Sequence, residues 1–384
     1  MNIQFVNTID AIDRQAWNAV AGRDYPFLRH EFLAAMEHCG AVAPATGWQP
    51  EHGVLRDNGR IIAIMPLYRK SHSWGEYVFD QSWAQAYTQH GLAYYPKFLT
   101  AVPFTPCQGP RMAIAPDRQA EDIVPLLFDS VIDRAKASGI SSWHCLFPGA
   151  DLRDHLQRLG LIRREDVQFQ WFNRGYRDFD DYLASLTAAK RKMVKRERRK
   201  VGEQGIELLA LAGRDIGESD WQAFYRFYAL TYLKRRLQPY LNPDFFLQLA
   251  ANMPEQLRLV LALKHQQPIA ASLFFVGGDT LYGRYWGCAE DYDALHFEAC
   301  YYQGIAYCIE NGLLRFDSGA QGEHKITRGF EPVITSSCHW IADPRFASVI
   351  AGLVERERRH VARYQADAAN YLPFKNNQET GNQG

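Results

Sequence analysis

Leu313-Leu314-Arg315-Phe316-Asp317 is followed by Gly319-Ala320-Gln321-Gly322-Glu323-His324-Lys325-Ile326-Thr327-Arg328-Gly329-Phe330-Glu331-Pro332, and then by Val333-Ile334-Thr335-Ser336-Ser337-Cys338-His339-Trp340-Ile341. The flanks read as strands, and the three glycines and one proline between them read as a shaped loop. Five ionisable side chains crowd into it: Glu323, His324, Lys325, Arg328 and Glu331. Glycine admits positive φ and close backbone approach, and binding groups concentrate on loops held by a rigid scaffold. A plain hairpin with a charged, solvated tip is the competing reading of the same residues.

Working outward, an almost wholly apolar helix, His296 to Ile309, precedes this run and stops at Asn311-Gly312. The first half has the same grammar. An amphipathic helix, Asp122 to Ala137, stops at Ser138-Gly139, and a strand, Trp143 to Phe147, follows. Tyr25-Pro26 and Tyr240-Leu241-Asn242-Pro243 each open a helix, and turns at Asn58-Gly59 and Gly277-Gly278-Asp279 each join two strands. The pattern predicts two copies of one α/β unit. Because the elements do not alternate strictly as βαβ, a mixed sheet (α+β) fits better than a doubly wound one. The expected domains are 1–170, 171–372 with a basic helix at 188–201 inside one long helix from Asp180 to Val201, and a flexible tail at 373–384. Residues 81–110 read as an aromatic, proline-punctuated excursion that either lines a site or folds over the core.

Composition narrows the functions. The 384 residues carry 43 basic and 43 acidic side chains, so no global field draws the protein to nucleic acid or membrane. No apolar run is long enough for a membrane span. Met1-Asn2-Ile3-Gln4-Phe5 does not open a signal peptide, and the seven scattered cysteines, without a CxxC, suit free thiols in a cytoplasmic setting and no metal site. Cys300 and Cys308 read as packing residues. The nucleophile-elbow, Walker, dinucleotide and zinc-protease motifs are absent.

Chemistry-bearing residues fall into three groups. Lys190 to Lys200 holds eight basic residues and one acid, Glu197, which leaves Met193, Val194 and Val201 for packing. Such a block attracts phosphate, and Lys192, Lys195, Arg196 and Arg199 are its candidate ligands; a solvated helix is the plainer alternative. Glu298, in the apolar helix, must be paired or have a shifted proton affinity; Arg284 and Arg315 are the expected partners. Arg284, Tyr285 and Trp286, in the strand Tyr282-Gly283-Arg284-Tyr285-Trp286-Gly287, line a pocket or simply pack.

With these residues in place, the chain resembles the FemAB-like N-acyltransferases, tandem GNAT-type proteins associated with peptidoglycan biosynthesis. The resemblance rests on Gly47-Trp48-Gln49-Pro50, Lys70-Ser71-His72-Ser73, Gly75-Glu76-Tyr77-Val78-Phe79-Asp80, Tyr94-Tyr95-Pro96-Lys97, Val102-Pro103-Phe104-Thr105-Pro106, His296-Phe297-Glu298 and the 319–325 loop. It implies two GNAT-like domains and, at Lys325 before Arg328-Gly329-Phe330, the family's lysine that stabilises charge at an acyl carbonyl. The long helical arm of some Fem proteins is missing, and Gln157-Arg158-Leu159-Gly160-Leu161-Ile162 departs from the acetyl-CoA loop pattern.

The expected activity is transfer of an acyl or aminoacyl group from a phosphate-containing donor, acyl-CoA or aminoacyl-tRNA, to an amine. The acceptor is a small molecule or a nucleotide-linked cell-wall precursor, and no cofactor is tightly bound. Lys325 would stabilise the oxyanion, Glu298, Glu323 or His324 would take the amine's proton, and Arg284, Tyr285, Trp286 and Arg328 would bind substrate with the basic helix. A non-catalytic nucleic-acid- or precursor-binding protein on the same scaffold is the alternative.

Overall fold

A computed structural model describes residues 1–320 and 322–375. The chain forms two compact units: Met1–Asp166 with Tyr240–Met253 and Ile334–Ala362, and Val167–Pro239 with Pro254–Val333 and the residues from Arg363 on. The mixed α/β class expected from the sequence holds. From residue 376 on, the expected tail lies outside the described residues. Ahead of it, Thr187 N–H donates to Pro373 O at 2.8 Å and Lys375 N–H donates to Ser185 O at 3.0 Å.

Unit 1 holds two sheet regions. One is antiparallel throughout, in the order Asn2–Val6, His52–Asp57, Arg60–Met65, Ala113–Ile114. In the other, Ser142–Leu146 pairs antiparallel with the end of Glu331–Ile341 and parallel with Lys97–Thr100, and Tyr68–Lys70 and Trp48–Pro50 continue the sheet antiparallel. Apolar alternation builds the core: Ile62, Met65, Leu127, Val131, Trp143 and Cys145 are all buried in one cluster. The 81–110 excursion is not one loop. It contains a helix, Gln81–Gln89, and the strand Lys97–Thr100, and its Trp83, Tyr87, Tyr94 and Phe98 are buried.

Unit 2 is organised on an antiparallel meander, Ile206–Ala212, Leu257–Lys264, Gln267–Gly277 and Thr280–Cys288. The short strand Arg315–Asp317 joins it parallel to Thr280–Cys288 and antiparallel to Ile162–Phe172, at Arg315↔Phe172. Its neighbours are therefore not the strand that follows it, Glu331–Ile341, and the hairpin reading of 319–332 fails. Two helical expectations also need correcting. The long helix from Asp180 breaks into Phe179–Ser185 and Ala188–Glu203, because Leu186 is extended (φ −82°, ψ 153°). The apolar helix after His296 is interrupted by a π-turn, Glu298–Tyr302, before continuing as Gln303–Glu310. Single π-turns inside helices are uncommon and recur at functional sites.

The glycines of Thr280–Cys288 serve packing. A Cβ on Gly287 would lie 2.0 Å from Phe227 O, on the backbone of helix Glu218–Leu233, and one on Gly283 would lie 3.2 Å from the Phe316 ring. Helix and strand meet there at backbone distance, so Gly287→Ala must push them apart. Urea unfolding of Gly287→Ala is expected to show a loss of about 3 kcal/mol or more, whereas Gly352→Ala, with nothing near its added Cβ in helix Pro344–Ala369, is expected to be neutral or to gain up to about 1 kcal/mol.

Candidate functional site

The residues singled out in the 319–332 loop converge in unit 2. Gly322 and Gly329, at φ +111° and +79°, bracket a 3₁₀ helix, Glu323–Arg328. A Cβ on Gly322 would sit 2.8 Å from His324 Cε1 and 3.2 Å from Lys325 Cε, so the glycine is required by the fold of the loop over those side chains. The tight turn separates its residues by face. Lys325, Ile326 and Arg328 are buried, and Glu323 and His324 face outward.

Lys325 is 2% exposed, and its Nζ donates to Gly319 O at 2.8 Å and Ser318 O at 3.2 Å. The ammonium thus gathers the carbonyls of the strand-to-loop corner, while Gly319 N–H donates to the buried Asp317 Oδ1 at 2.9 Å. Arg328 is more heavily engaged. Its Nη2 donates to Glu197 Oε1 at 2.7 Å, its Nε to Tyr302 Oη at 2.9 Å and its Nη1 to His324 O at 2.7 Å, and its guanidinium lies 3.5 Å from the Phe297 ring centre. Tyr302 Oη in turn donates to Glu197 Oε2. One carboxylate on the basic helix therefore ties down both the end of the loop and the π-turn.

Against this frame stands an aromatic group. His324 Nε2 and Tyr301 Oη are hydrogen-bonded at 2.9 Å. His296 packs between Trp286, Tyr301 and His324 at centroid distances of 5.5, 5.2 and 6.0 Å. Burial and the charges of His324, Lys325 and Arg328 pull the His296 imidazole down to about 4, and burial with the charges of Arg328 and Lys325 lowers that of His324. Burial pushes Tyr301 and Tyr302 above the ordinary phenol range.

Glu298 is buried and paired, but with Arg198 at 3.0 Å and with Gln303 Nε2 at 2.8 Å, not with the expected Arg284 or Arg315. Helix Ala188–Glu203 is two-faced. Val194 and Val201 are buried, Glu197 and Arg198 face the loop and the π-turn, and Lys192, Lys195, Arg196 and Arg199 form an exposed stripe at i, i+3, i+4 and i+7. Arg199 meets Glu203 at 3.1 Å and Lys195 meets Asp180 at 3.8 Å; among the described residues neither Lys192 nor Arg196 has an acid partner.

A family model described as peptidoglycan biosynthesis/recognition, FemAB-like, matches residues 8–376. The chain belongs to the FemAB-like family. No curated protein matches it by sequence. Among solved structures, FemX is similar at 12% identity, covering 91% of this FemAB-like chain and all of that one, with a TM-score of 0.53. L-PGS from Bacillus licheniformis shares 10% identity over 87% of this chain and 97% of its own, with a TM-score of 0.52. A conserved protein of unknown function from Bacteroides thetaiotaomicron shares 11% over 88% and 99%, at 0.51. At such identities the likeness concerns the fold. Among the described residues, no helix of this FemAB-like chain is long and apolar enough to cross a membrane.

Of the residues chosen from sequence, Lys325, His324, Arg328 and Trp286 lie in one connected group, and Arg284 Nη1 would be 3.5 Å from a Cβ on Gly319. Tyr285 points to the other face of its strand, against Tyr228 and Phe275, as strand alternation requires. Glu323 accepts from Tyr364 Oη at 2.7 Å. In the sequence, Glu197 and Arg198 stand only as members of the basic block and His296 only in a family string, and Tyr301 and Tyr302 are not singled out. For Glu197 a signal existed: it sits three residues after Val194 and four before Val201, on the buried face.

The His296 shift has a signed consequence. Its folded-state value is depressed, so the unfolded chain takes the proton first, and stability present above pH 6.5 is lost as pH falls toward 4. Urea unfolding across that window is expected to lose on the order of 3 kcal/mol from this group, with a shallower slope in His296→Phe. Equal slopes in the two proteins would contradict the assignment.

Proposed function

We propose that this protein is an N-acyltransferase that moves an acyl or aminoacyl group from a phosphate-containing activated donor, acyl-CoA or aminoacyl-tRNA, to an amine, with a cell-wall precursor as the acceptor class the family suggests. The observation that carries the reading is the buried Lys325 ammonium at the corner of the glycine-shaped loop, beside a low-affinity imidazole and on the unit that bears the exposed cationic stripe.

In the reaction the amine nitrogen attacks the donor carbonyl carbon, a C–N bond forms, and negative charge builds on the carbonyl oxygen. The intermediate collapses with loss of the thiolate or of the tRNA hydroxyl oxygen, and the amine gives up a proton. Lys325 supplies positive charge for the oxyanion and holds the corner carbonyls in place; one such donor contributes roughly 3–4 kcal/mol. Among the three candidate bases, Glu298 is engaged by Arg198 and Gln303, and Glu323 by Tyr364. His324 is outward-facing, its Nε2 is bonded to Tyr301 Oη and its proton affinity is lowered, so in this reading the other ring nitrogen, Nδ1, accepts the proton. Lys192, Lys195, Arg196 and Arg199 bind the donor's phosphates. Lys192 and Arg196, without acid partners among the described residues, also suit a protein that binds nucleic acid without turnover, and the same assay separates the two readings.

Purified protein should be incubated with acyl-CoA or aminoacyl-tRNA and an amine panel, and the amide product read by mass spectrometry. Lys325→Ala is expected to lower kcat by about 10²–10³ with the fold retained by circular dichroism. Unchanged turnover would remove Lys325 from the mechanism, and binding without product in the wild type would favour the non-catalytic reading. On the acid side, kcat/KM should fall with a midpoint below 6.5, and this limb should vanish from the residual activity of His324→Gln.

A further inference from the structure

The motifs Lys70-Ser71-His72-Ser73, Gly75 to Asp80 and Tyr94 to Lys97 play no part in the chemistry above, yet their charged residues meet inside unit 1. Lys70 and Lys97 are direct cross-strand partners on neighbouring strands, with Trp48 opposite Lys70 on the next one. Like charges placed directly opposite one another are destabilising. Farther along the same sheet, His144 faces His339 in the same way, their Nδ1 atoms 2.5 Å apart.

The segment covering this row is built inside out. Residues 71–80 bury their two carboxylates, Glu76 (4% exposed) and Asp80 (2%), while Trp74 (65%) and Phe79 (60%) lie in solvent. An apolar-in, charged-out pattern is the stable arrangement for a surface segment, so its reversal here must serve something other than core packing. The backbone is also unusual. Gly75 is at φ +82° and Tyr77, a non-glycine, at φ +59°; left-handed tyrosine costs on the order of 1 kcal/mol.

The buried charges are only partly satisfied. Lys97 Nζ takes one oxygen from each acid, Glu76 Oε2 at 2.7 Å and Asp80 Oδ2 at 2.5 Å, and Tyr94 Oη donates to Asp80 Oδ2 at 2.6 Å. The other oxygens, Glu76 Oε1 and Asp80 Oδ1, are buried and receive no hydrogen bond among the described residues. Lys70 Nζ, fully buried, makes one long bond to Trp74 O at 3.4 Å and rests 3.6 Å from the Trp48 ring centre. Burial pulls its amine down to about 7 and pushes Glu76 up to about 7, so the group gains or loses charge readily near neutral pH. Replacing buried charges of this kind by apolar residues of the same volume is often neutral or stabilising, so the fold alone does not call for this cluster.

Two open acceptors and one under-used ammonium are complementary to a molecule that carries both a cation and an anion. We propose that segment 71–80 is a lid over a binding site for a free α-amino acid, whose carboxylate pairs with Lys70 and whose ammonium takes the open oxygens of Glu76 and Asp80. The site is built wholly from unit 1 and stands or falls separately from the transfer chemistry of unit 2. Trp48, under Lys70, and Trp74, on the lid, make it visible by fluorescence.

The full chain should be titrated with each of the common amino acids, and with propionate and propylamine as probes that lack one of the two charges. The expected result is saturable binding of at least one amino acid, absent with both control probes, and weakened about tenfold or more in Glu76→Gln and in Lys70→Met. Independently of whether those variants fold, hydrogen exchange of amides 71–80 in the wild type should slow when the amino acid is added. No binding at millimolar concentration, binding equally well of propionate or propylamine, or unaltered exchange in 71–80 would overturn the proposal.

Discussion

The pairing of Glu197 with Arg328 is the contact on which the rest of the candidate site depends. Both groups are largely withdrawn from water, at 14% and 5% side-chain exposure. Removing one partner of such a pair leaves a buried charge, which typically costs about 3–5 kcal/mol. The same carboxylate accepts from Tyr302 in the π-turn, and the same guanidinium donates to the carbonyl of His324. Loop, π-turn and basic helix thereby share one hydrogen-bonded node, and the position of Lys325 within the 3₁₀ turn follows from it.

This node explains how one helix can serve two purposes. Its inner face carries the acid and the arginine that hold the site, and its outer face carries four cations at helical spacing. Repulsion among those cations costs a few tenths of a kcal/mol per pair, a strain that bound phosphate relieves. The helix break at Leu186 fits the same picture. It releases Ala188–Glu203 from the direction of Phe179–Ser185, and Arg198 lies 4.3 Å from the Phe179 ring centre.

Much of this was legible in the sequence. Glycines at 319, 322 and 329 mark a shaped loop, and Lys325 and Arg328 read as its working residues. Lys192, Lys195, Arg196 and Arg199 stand out in the sequence as candidate phosphate ligands of a basic helix, and burial shows that they form one exposed stripe. What escaped depends on non-local pairing. The strand Arg315–Asp317 looked like half of a hairpin because the chain order hides that its neighbours are Thr280–Cys288 and Ile162–Phe172. The π-turn at Glu298–Tyr302 has no periodicity signature, since it adds a single residue to an otherwise apolar helix. Sequence proximity points Glu298 to Arg284 and Arg315, while its partner, Arg198, is a hundred positions away. In unit 1, Lys70 and Lys97 were visible as motif residues, but only strand register places them face to face.

A double-mutant cycle on Glu197 and Arg328 tests the organising role of the node most directly. Glu197→Gln, Arg328→Met and the double variant would be compared by urea unfolding and by hydrogen exchange of the amides from 318 to 330. The account predicts strong coupling of about 1–3 kcal/mol, with the double variant no worse than the poorer single and with exchange raised through the loop in all three. Additive losses, or a loop whose exchange is unmoved by either substitution, would contradict it.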